Sequence, residues 1–278
     1  MAPVHQRCDG EALIRFECAA GCTRLKDLYH RAPCHVLFPA TPPNEPTQAV
    51  LLTTSGGLTG GDRIRIAADV GAGGRATFTA QAAEKIYRAL PASGEAVVHV
   101  EMRVGAGAWS EWLAQETILF EGSRLRRLFA ADVDPGGRLL ALETTVFGRR
   151  AMGERYATGM LHDAWRIRRG GALIWADALH LAGDLRGLRG AAFGFGTSVA
   201  CSTVVYVGPD AACQLEEARR LLRPCPLPAA ATALDGLLLV RLMADDALEL
   251  RSAVIAVVAG LRHAAAGLAP RLPRVWQC

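Results

Sequence analysis

Three carboxylates in this sequence have mostly apolar or small neighbours. Glu143 ends the segment of residues 139–143, Asp177 ends that of residues 173–177, and Asp62 closes a glycine-rich stretch. A buried carboxylate is costly unless it is paired or hydrated. Two interpretations remain open for them: a hydrated interior lined by these groups, or solvent exposure and pairing with nearby arginines (Arg126, Arg127, Arg149, Arg150). For Asp62, capping of the turn is the more common role.

A second group of candidate ligands lies near the N-terminus and comprises Cys18, Cys22, His30, Cys34 and His35. Thiolate and imidazole suit zinc, nickel or copper. Cys34 and His35 are adjacent, however, and on a strand they would point to opposite faces. The eight cysteines are irregularly spaced and form no C-x-x-C pair, so their spacing gives no indication of a structural zinc site. Burial of these cysteines as small hydrophobic residues is the favoured interpretation.

The common enzyme motifs are absent. The sequence has no G-x-S-x-G nucleophile elbow and no H-E-x-x-H helix, and no Lys-Ser/Thr follows the glycine-rich stretch as in a phosphate-binding loop. A hydrolase that uses Asp62, Glu143 and Asp177 as acid and base remains an alternative. A metal-binding protein that uses Cys18, Cys22, His30 and Cys34 is another.

Composition excludes several classes of protein. Of the 278 residues, 51% are apolar and 21% are charged, which excludes intrinsic disorder. The net charge is only +4 and no dense Lys/Arg block occurs, so we expect no nucleic-acid partner. No apolar run reaches the ~18–20 residues of a membrane span, and the N-terminus lacks the core of a signal peptide. We therefore expect a cytoplasmic protein with reduced thiols and no membrane partner.

Spacing in the middle of the chain suggests a repeat. Val70, Val104 and Val133 each precede a glycine-containing turn and a new strand-like segment, at offsets of 34 and 29 residues. Units that cannot close their own core must stack on their neighbours. The alternative is an ordinary β-meander with similar turns.

Helical signals occur only late. One helix is predicted over residues 210–222, and a second begins at Asp245 or Asp246 and ends near Gly267. The predicted fold is mainly β, a layered stack of strands that is coiled or sandwich-like, with two α-helices in the C-terminal third. We expect one domain over residues 1–278, with the stack at about 50–205 and the helical part at about 208–278. The apolar face of the second helix (Val254, Val257, Val258, Leu261) is expected to exceed what one chain can cover and to mark a partner site.

Several motifs occur along the chain in a fixed order. They are Gly56-Gly-Leu-Thr-Gly-Gly-Asp62, Gln81-Ala-Ala-Glu-Lys-Ile-Tyr-Arg88, Glu111-Trp-Leu-Ala-Gln-Glu-Thr-Ile-Leu-Phe120, Phe147-Gly-Arg-Arg150 and Leu272-Pro-Arg-Val-Trp276. Together they resemble the urease accessory protein D family (UreD, called UreH in some organisms), and the first motif is the most typical of it.

The resemblance implies a mostly β, helicoid fold with two helices. It also implies a non-enzymatic chaperone scaffold that holds no permanent cofactor and carries nickel in transit. Its implied partners are the urease apoprotein and the accessory proteins F and G. A water-filled passage is implied as the nickel route, with Asp62, Glu143 and Asp177 as candidate passage carboxylates. The motif positions carried over are Gly56, Gly57, Gly60, Gly61, Gln81, Lys85, Tyr87, Gln115 and Arg149.

Overall fold

The computed structural model describes residues 6–191 and 194–277. The strands up to residue 119 are β1 (Asp9–Ala19), β2 (Cys22–Arg31), β3 (Cys34–Leu37), β4 (Thr47–Thr53), β5 (Arg63–Val70), β6 (Arg75–Ala80), β7 (Glu84–Ile86), β8 (Ala96–Val104), β9 (Trp109–Leu113) and β10 (Thr117–Leu119). The later strands are β11 (Arg124–Val133), β12 (Arg138–Phe147), β13 (Met160–Arg169), β14 (Ala172–Ala182), β15 (Ala200–Val207), β16 (Ala229–Leu234) and β17 (Leu237–Ala244).

Within the described ranges the helices are α1 (Leu185–Gly190), α2 (Leu215–Leu222) and α3 (Ala247–Ala266). Short 3-10 turns occupy Arg150–Met152, Ala211–Gln214 and Arg274–Gln277. Both predicted helices, α2 and α3, are present. Helix α1 was not predicted, because six residues are too few for a periodic apolar pattern. No helix in the described part of the chain is both long enough and apolar enough to span a membrane.

The strands form two sheets, and the chain alternates between them. The first sheet has the order β14-β13-β11-β8-β5-β1-β2, and its five inner strands run parallel. The second has the order β16-β17-β15-β12-β9-β6-β4-β3, with β7 and β10 attached beside β12, and its strands β4, β6, β9 and β12 are parallel. Successive parallel strands therefore belong to opposite sheets, which makes the layered helicoid that the sequence predicts.

The repeat spacing corresponds to strand register. Val70 pairs with Val104, and Val104 pairs with Val133 in the first sheet. After the turns, Arg75 pairs with Trp109, and Trp109 pairs with Arg138 in the second sheet. The turns also bond to one another, as the Gly105 amide donates to the Val70 carbonyl at 2.8 Å. The stacked interpretation is therefore confirmed over the simple meander.

Two apolar cores lie on the two faces of the second sheet. The first core fills the space between the sheets and includes Phe16, Phe78 and Phe129. The second lies between the outer face of the second sheet and α3. Asp246 caps the N-terminus of α3, where its carboxylate accepts the Leu248 and Glu249 amides at 2.8 and 3.1 Å. Gly267, with φ +62°, caps the C-terminus.

The prediction that α3 exposes an apolar face is wrong. Val254, Val257, Val258 and Leu261 are all at most 1% exposed, because the second sheet covers them. The amphipathic pattern marked a core contact rather than a partner site. Exposed large apolar side chains occur elsewhere, on β2 and at and after the end of β3 (Leu25, Leu28, Tyr29, Leu37, Phe38).

A buried ionic group fastens α3 to the second sheet. Arg262 is 1% exposed, and its guanidinium donates to Glu111 of β9 at 2.6 Å and to Glu45 at 2.9 Å. Glu111 is fully buried and also accepts from the Trp109 indole at 2.9 Å and from the Thr77 hydroxyl at 2.5 Å. Removal of Arg262 would leave the buried Glu111 without a cation and Glu45 with only Arg271, at 3.7 Å.

We predict that Arg262→Met lowers the free energy of unfolding by about 3–5 kcal/mol, the usual cost of breaking a buried ion pair on one side. The matched control is Arg220→Met on α2, whose solvent-exposed pair with Glu217 should contribute little to stability. Chemical denaturation of both variants measures the difference. Equal stability of the two variants would contradict a supporting role for Arg262.

Candidate functional site

The glycine-rich turn of residues 56–62 packs directly on β7. The Leu58 amide donates to the Lys85 carbonyl at 2.8 Å, and the Tyr87 amide donates to the Leu58 carbonyl at 2.7 Å. Gly57 has φ +146°, and a Cβ on it would lie 2.7 Å from the Lys85 carbonyl oxygen. Only glycine permits this close approach. The first two sequence motifs are therefore two sides of one contact.

Tyr87 extends this contact toward Arg149. Its hydroxyl donates to the Gly56 carbonyl at 2.7 Å, and its ring meets Phe120 edge-on at 5.0 Å between centroids. The Arg149 guanidinium lies 3.9 Å from the centroid of the same Phe120 ring and forms a bidentate pair with Glu154. Arg149 is thus connected to the glycine-rich turn through the rings of Phe120 and Tyr87.

A cavity of about 240 Å³ lies behind these motifs, between the two sheets. Its wall includes Gly56, Gly57, Gln81, Lys85 and Gln115, all of them predicted motif positions. Gln81 and Lys85 are exposed, whereas Gln115 is buried. The cavity therefore leads from the surface near Gln81 and Lys85 toward the space between the sheets.

Arg127 of β11 forms the polar end of this cavity. Its guanidinium donates to both oxygens of Asp163 on β13, at 2.9 and 2.5 Å, and to Glu143 of β12 in the second sheet. The hydroxyls of Thr117 and Thr145 accept from it at 3.0 and 3.2 Å. All three charged residues are at most 9% exposed. Glu143 is thus buried and paired with one of the arginines considered from the sequence.

The Arg127 cluster holds one cation and two carboxylates. Burial disfavours the charged guanidinium, but Asp163 and Glu143 outweigh this and raise the pKa of Arg127, so it stays charged. Burial raises the pKa of Glu143, with Arg127 opposing and Asp163 adding to the rise. Protonation of Glu143 therefore relieves the excess negative charge.

Glu84 is a carboxylate of the cavity wall that the sequence reasoning did not select. It is half-buried on β7, and it accepts from the Thr53 hydroxyl at 2.7 Å. Burial raises the pKa of Glu84, and the bonds from Thr53 and the Lys85 amide only partly oppose this. Its place in the second motif, two residues before the apolar strand residue Ile86, was the available signal.

Asp62 lies in the turn and is 3% exposed. One carboxylate oxygen accepts the Cys8 amide at 2.8 Å, and the other accepts the Thr59 amide at 2.7 Å. This is the capping role. The neighbouring Gly60 is buried, and the Gly61 amide donates to the Glu95 carbonyl at 2.9 Å. Asp62 is not among the residues that line the cavity, and its passage role stays a prediction.

Asp177 lies at the rim between the sheets. It is on the edge strand β14, and its carboxylate pairs at 2.5 Å with Arg241 of β17 in the second sheet. Arg241 belongs to the same register row as Thr203 and Glu143. Two strand spacings of ~4.8 Å place Arg241 roughly 10 Å from Glu143 along the sheet. Asp177 thus meets the exposed end of the register row that contains Glu143, since the Arg241 side chain is 51% exposed. The passage role of both carboxylates stays a prediction.

The predicted alternative sites do not form. Cys22 and His30 are eight residues apart on β2, or roughly 26 Å at ~3.3 Å per residue. Burial raises the pKa of the Cys34 thiol to about 11, which disfavours the thiolate that binds metals. In the described residues no three His, Cys, Asp or Glu side chains are arranged to hold a metal ion; Cys278 lies outside those residues.

The hydrolase alternative also fails on geometry. Asp62 is engaged by backbone amides, Glu143 by Arg127 and the Trp112 indole, and Asp177 by Arg241. Only Glu143 of the three lines the cavity. These carboxylates do not share a site as an acid and base pair would.

We predict that Gly57→Ala destabilises the fold more than Gly56→Ala. Both glycines have positive φ, but a Cβ on Gly56 has no neighbour closer than 4.0 Å. The overlap with Lys85 should cost Gly57→Ala about 1–3 kcal/mol more. Thermal unfolding of the two variants measures this, and equal melting temperatures would show that the turn does not need its close approach to β7.

We predict that Glu143→Leu destabilises the protein, because the buried Trp112 indole loses its acceptor and Arg127 loses one of its two carboxylate partners. A buried donor left without an acceptor costs about 1–3 kcal/mol. Glu101→Leu on the exposed face of β8 is the control. A Glu143→Leu protein as stable as the control would mean that the Arg127 cluster contributes nothing to the fold.

Comparisons with known proteins identify the family of this chain. Residues 8–277 match the model of the family described as UreD urease accessory protein. A urease accessory protein UreD of Rhizobium leguminosarum bv. trifolii is 40% identical over 271 residues, which cover 98% of this chain and 96% of the relative. The UreD proteins of Magnetococcus marinus and a Chelativorans species are 39% and 41% identical, each over 98% of this chain and 94% of the relative. This is a family of accessory proteins and not of enzymes, and the chain belongs to it.

Proposed function

We propose that the protein binds the urease apoprotein and the accessory proteins F and G in the cytoplasm, and that it passes nickel to the urease active site through the space between its sheets. The observation that carries the proposal is the convergence of the family motifs on one cavity. Gly57, Gln81, Lys85 and Gln115 come from three motifs and line the same wall.

Oxygen ligands lead inward from this cavity. Glu84 lies on its wall and Glu143 at its polar end, while Asp177 is at the opposite rim beside Arg241. A divalent cation needs oxygen ligands or water along its whole path. Carboxylates, hydroxyls and amides supply them here without a cage of thiolates or imidazoles.

The charges favour weak binding. A cation that reaches Glu143 competes with Arg127 for the same carboxylate, and the guanidinium repels it. Glu84 has a raised pKa, so a cation there displaces a proton when the carboxyl is neutral. Both effects shorten the residence of an ion, and a transit route requires this because a tight site would trap its cargo.

We predict that Glu84→Gln lowers the nickel content of urease matured under limiting nickel by about fivefold. That factor corresponds to roughly 1 kcal/mol of lost charge attraction. The amide keeps the size of the side chain and can still accept from Thr53. Glu101→Gln, on the outer face of β8, is the matched control and should give full loading.

Two measurements separate the parts of this proposal. Co-purification of the chain with urease subunits and protein F tests assembly, and its absence would contradict the scaffold role. Nickel per urease active site, measured with complexes that assemble normally, tests the route. Full loading by Glu84→Gln would exclude Glu84 from that route.

A further inference from the structure

Two histidines face each other on the outer side of the first sheet. His162 of β13 is directly opposite His180 of the antiparallel strand β14. Their ring centroids are 5.5 Å apart and the ring planes are inclined by 61°. His162 is half-buried and His180 is exposed, so the pair is open to solvent. No role in the cavity or its motifs accounts for this pair.

The spacing fits two imidazoles on one metal ion. A ring nitrogen bound at about 2.0–2.1 Å places the centroid of its ring roughly 3.2 Å from the metal, so that two rings have centroids roughly 4.5–6 Å apart. The observed separation lies in this range. The inclination of the rings also differs from the parallel stacking of His30 and His35, whose centroids are 4.6 Å apart at 26°.

The neighbouring side chains on this face are mostly small. Side chains on one face of a strand are two residues apart, so Met160, Ala164, Ala178 and Ala182 share the face of the histidine pair. His180 is exposed, so an ion can reach the pair from solvent. Arg126 is next to His162 on β11, but its guanidinium is paired with Glu95 at 2.7 Å, which reduces its repulsion of a cation.

The protonation state also favours a ligand. Burial, followed by the charges of Arg126 and His180, lowers the pKa of His162, while Asp163 and Glu95 oppose the shift more weakly. The ring is therefore neutral at neutral pH, which is the form that binds metals. Imidazole nitrogen suits nickel, copper and zinc, and not magnesium or calcium.

We propose that His162 and His180 form a two-histidine surface site for a divalent transition-metal ion. No third His, Cys, Asp or Glu joins them in the described ranges. Water therefore completes the coordination, or a side chain of another molecule does. The site is separate from the proposed nickel route, because the pair lies on the outer face of the first sheet and not between the sheets.

The test is a titration of the metal-free protein with Ni²⁺, monitored by isothermal titration calorimetry. Loss of a metal ligand should weaken the site at least about tenfold, so we expect His162→Asn and His180→Asn each to abolish one equivalent of Ni²⁺ at the concentrations where the wild type binds it. The double variant should lose no more than either single variant, because both ligands hold the same ion. Cu²⁺ should bind the wild-type site more tightly than Ni²⁺.

His99→Asn is the matched control. His99 lies on β8, on the same face of the same sheet, but it contacts Glu101 rather than a second imidazole. It should keep the wild-type stoichiometry and affinity. Unchanged binding in His162→Asn or His180→Asn would overturn the proposal and leave the pair as a ring contact. Failure of nickel transfer with this site intact would instead count against the proposed route.

Discussion

The Arg127 guanidinium is the interaction on which the interior of this protein depends. Arg127 belongs to β11 of the first sheet, and its guanidinium donates to Glu143 and Thr145 on β12 of the second sheet. These bonds fix the position of the two sheets relative to each other at this point. A buried charge of this kind adds little net stability compared with an apolar contact, but its loss leaves its partners unpaired. The space between the sheets is therefore polar here while the rest of the core is apolar, and the cavity adjoins this polar point.

This arrangement explains why a protein without catalytic residues retains charged groups in its interior. An apolar contact would serve the fold as well as Arg127, Glu143 and Asp163 do. Our proposal assigns these groups to a path for a hydrated cation, in which Arg127 keeps the carboxylates from binding that cation tightly. The same guanidinium would then support the fold and limit the residence of the cargo.

The stacked strands could be predicted from the sequence, because their spacing repeats. The side-chain pairs that depend on strand register could not. The offsets of Val70, Val104 and Val133 predicted the stack, because equivalent residues of parallel strands lie side by side. The pairing of Glu143 with Arg127 was one of several possibilities, since the two residues lie on different sheets. The face of α3 was misread because an amphipathic pattern does not say which surface covers it. His162 and His180 meet only because a bulge at Ile167/Arg168 shifts the register by one residue; without it Leu179 would be opposite His162.

The C-terminal motif shows how distant segments complete one wall. The Gln115 amide nitrogen donates to the carbonyls of Ala80, Gln81 and Val275, at 3.1, 3.0 and 3.0 Å. The Trp276 indole donates to the Thr79 hydroxyl at 3.1 Å, and Thr79 also lines the cavity. Arg251 of α3 in turn donates to the Trp276 carbonyl and to Glu116. Residues 275–276 therefore hold the ends of β6 and β9 together, and a motif 160 residues from Gln115 belongs to the same site because it supplies the hydrogen bonds that this polar wall needs.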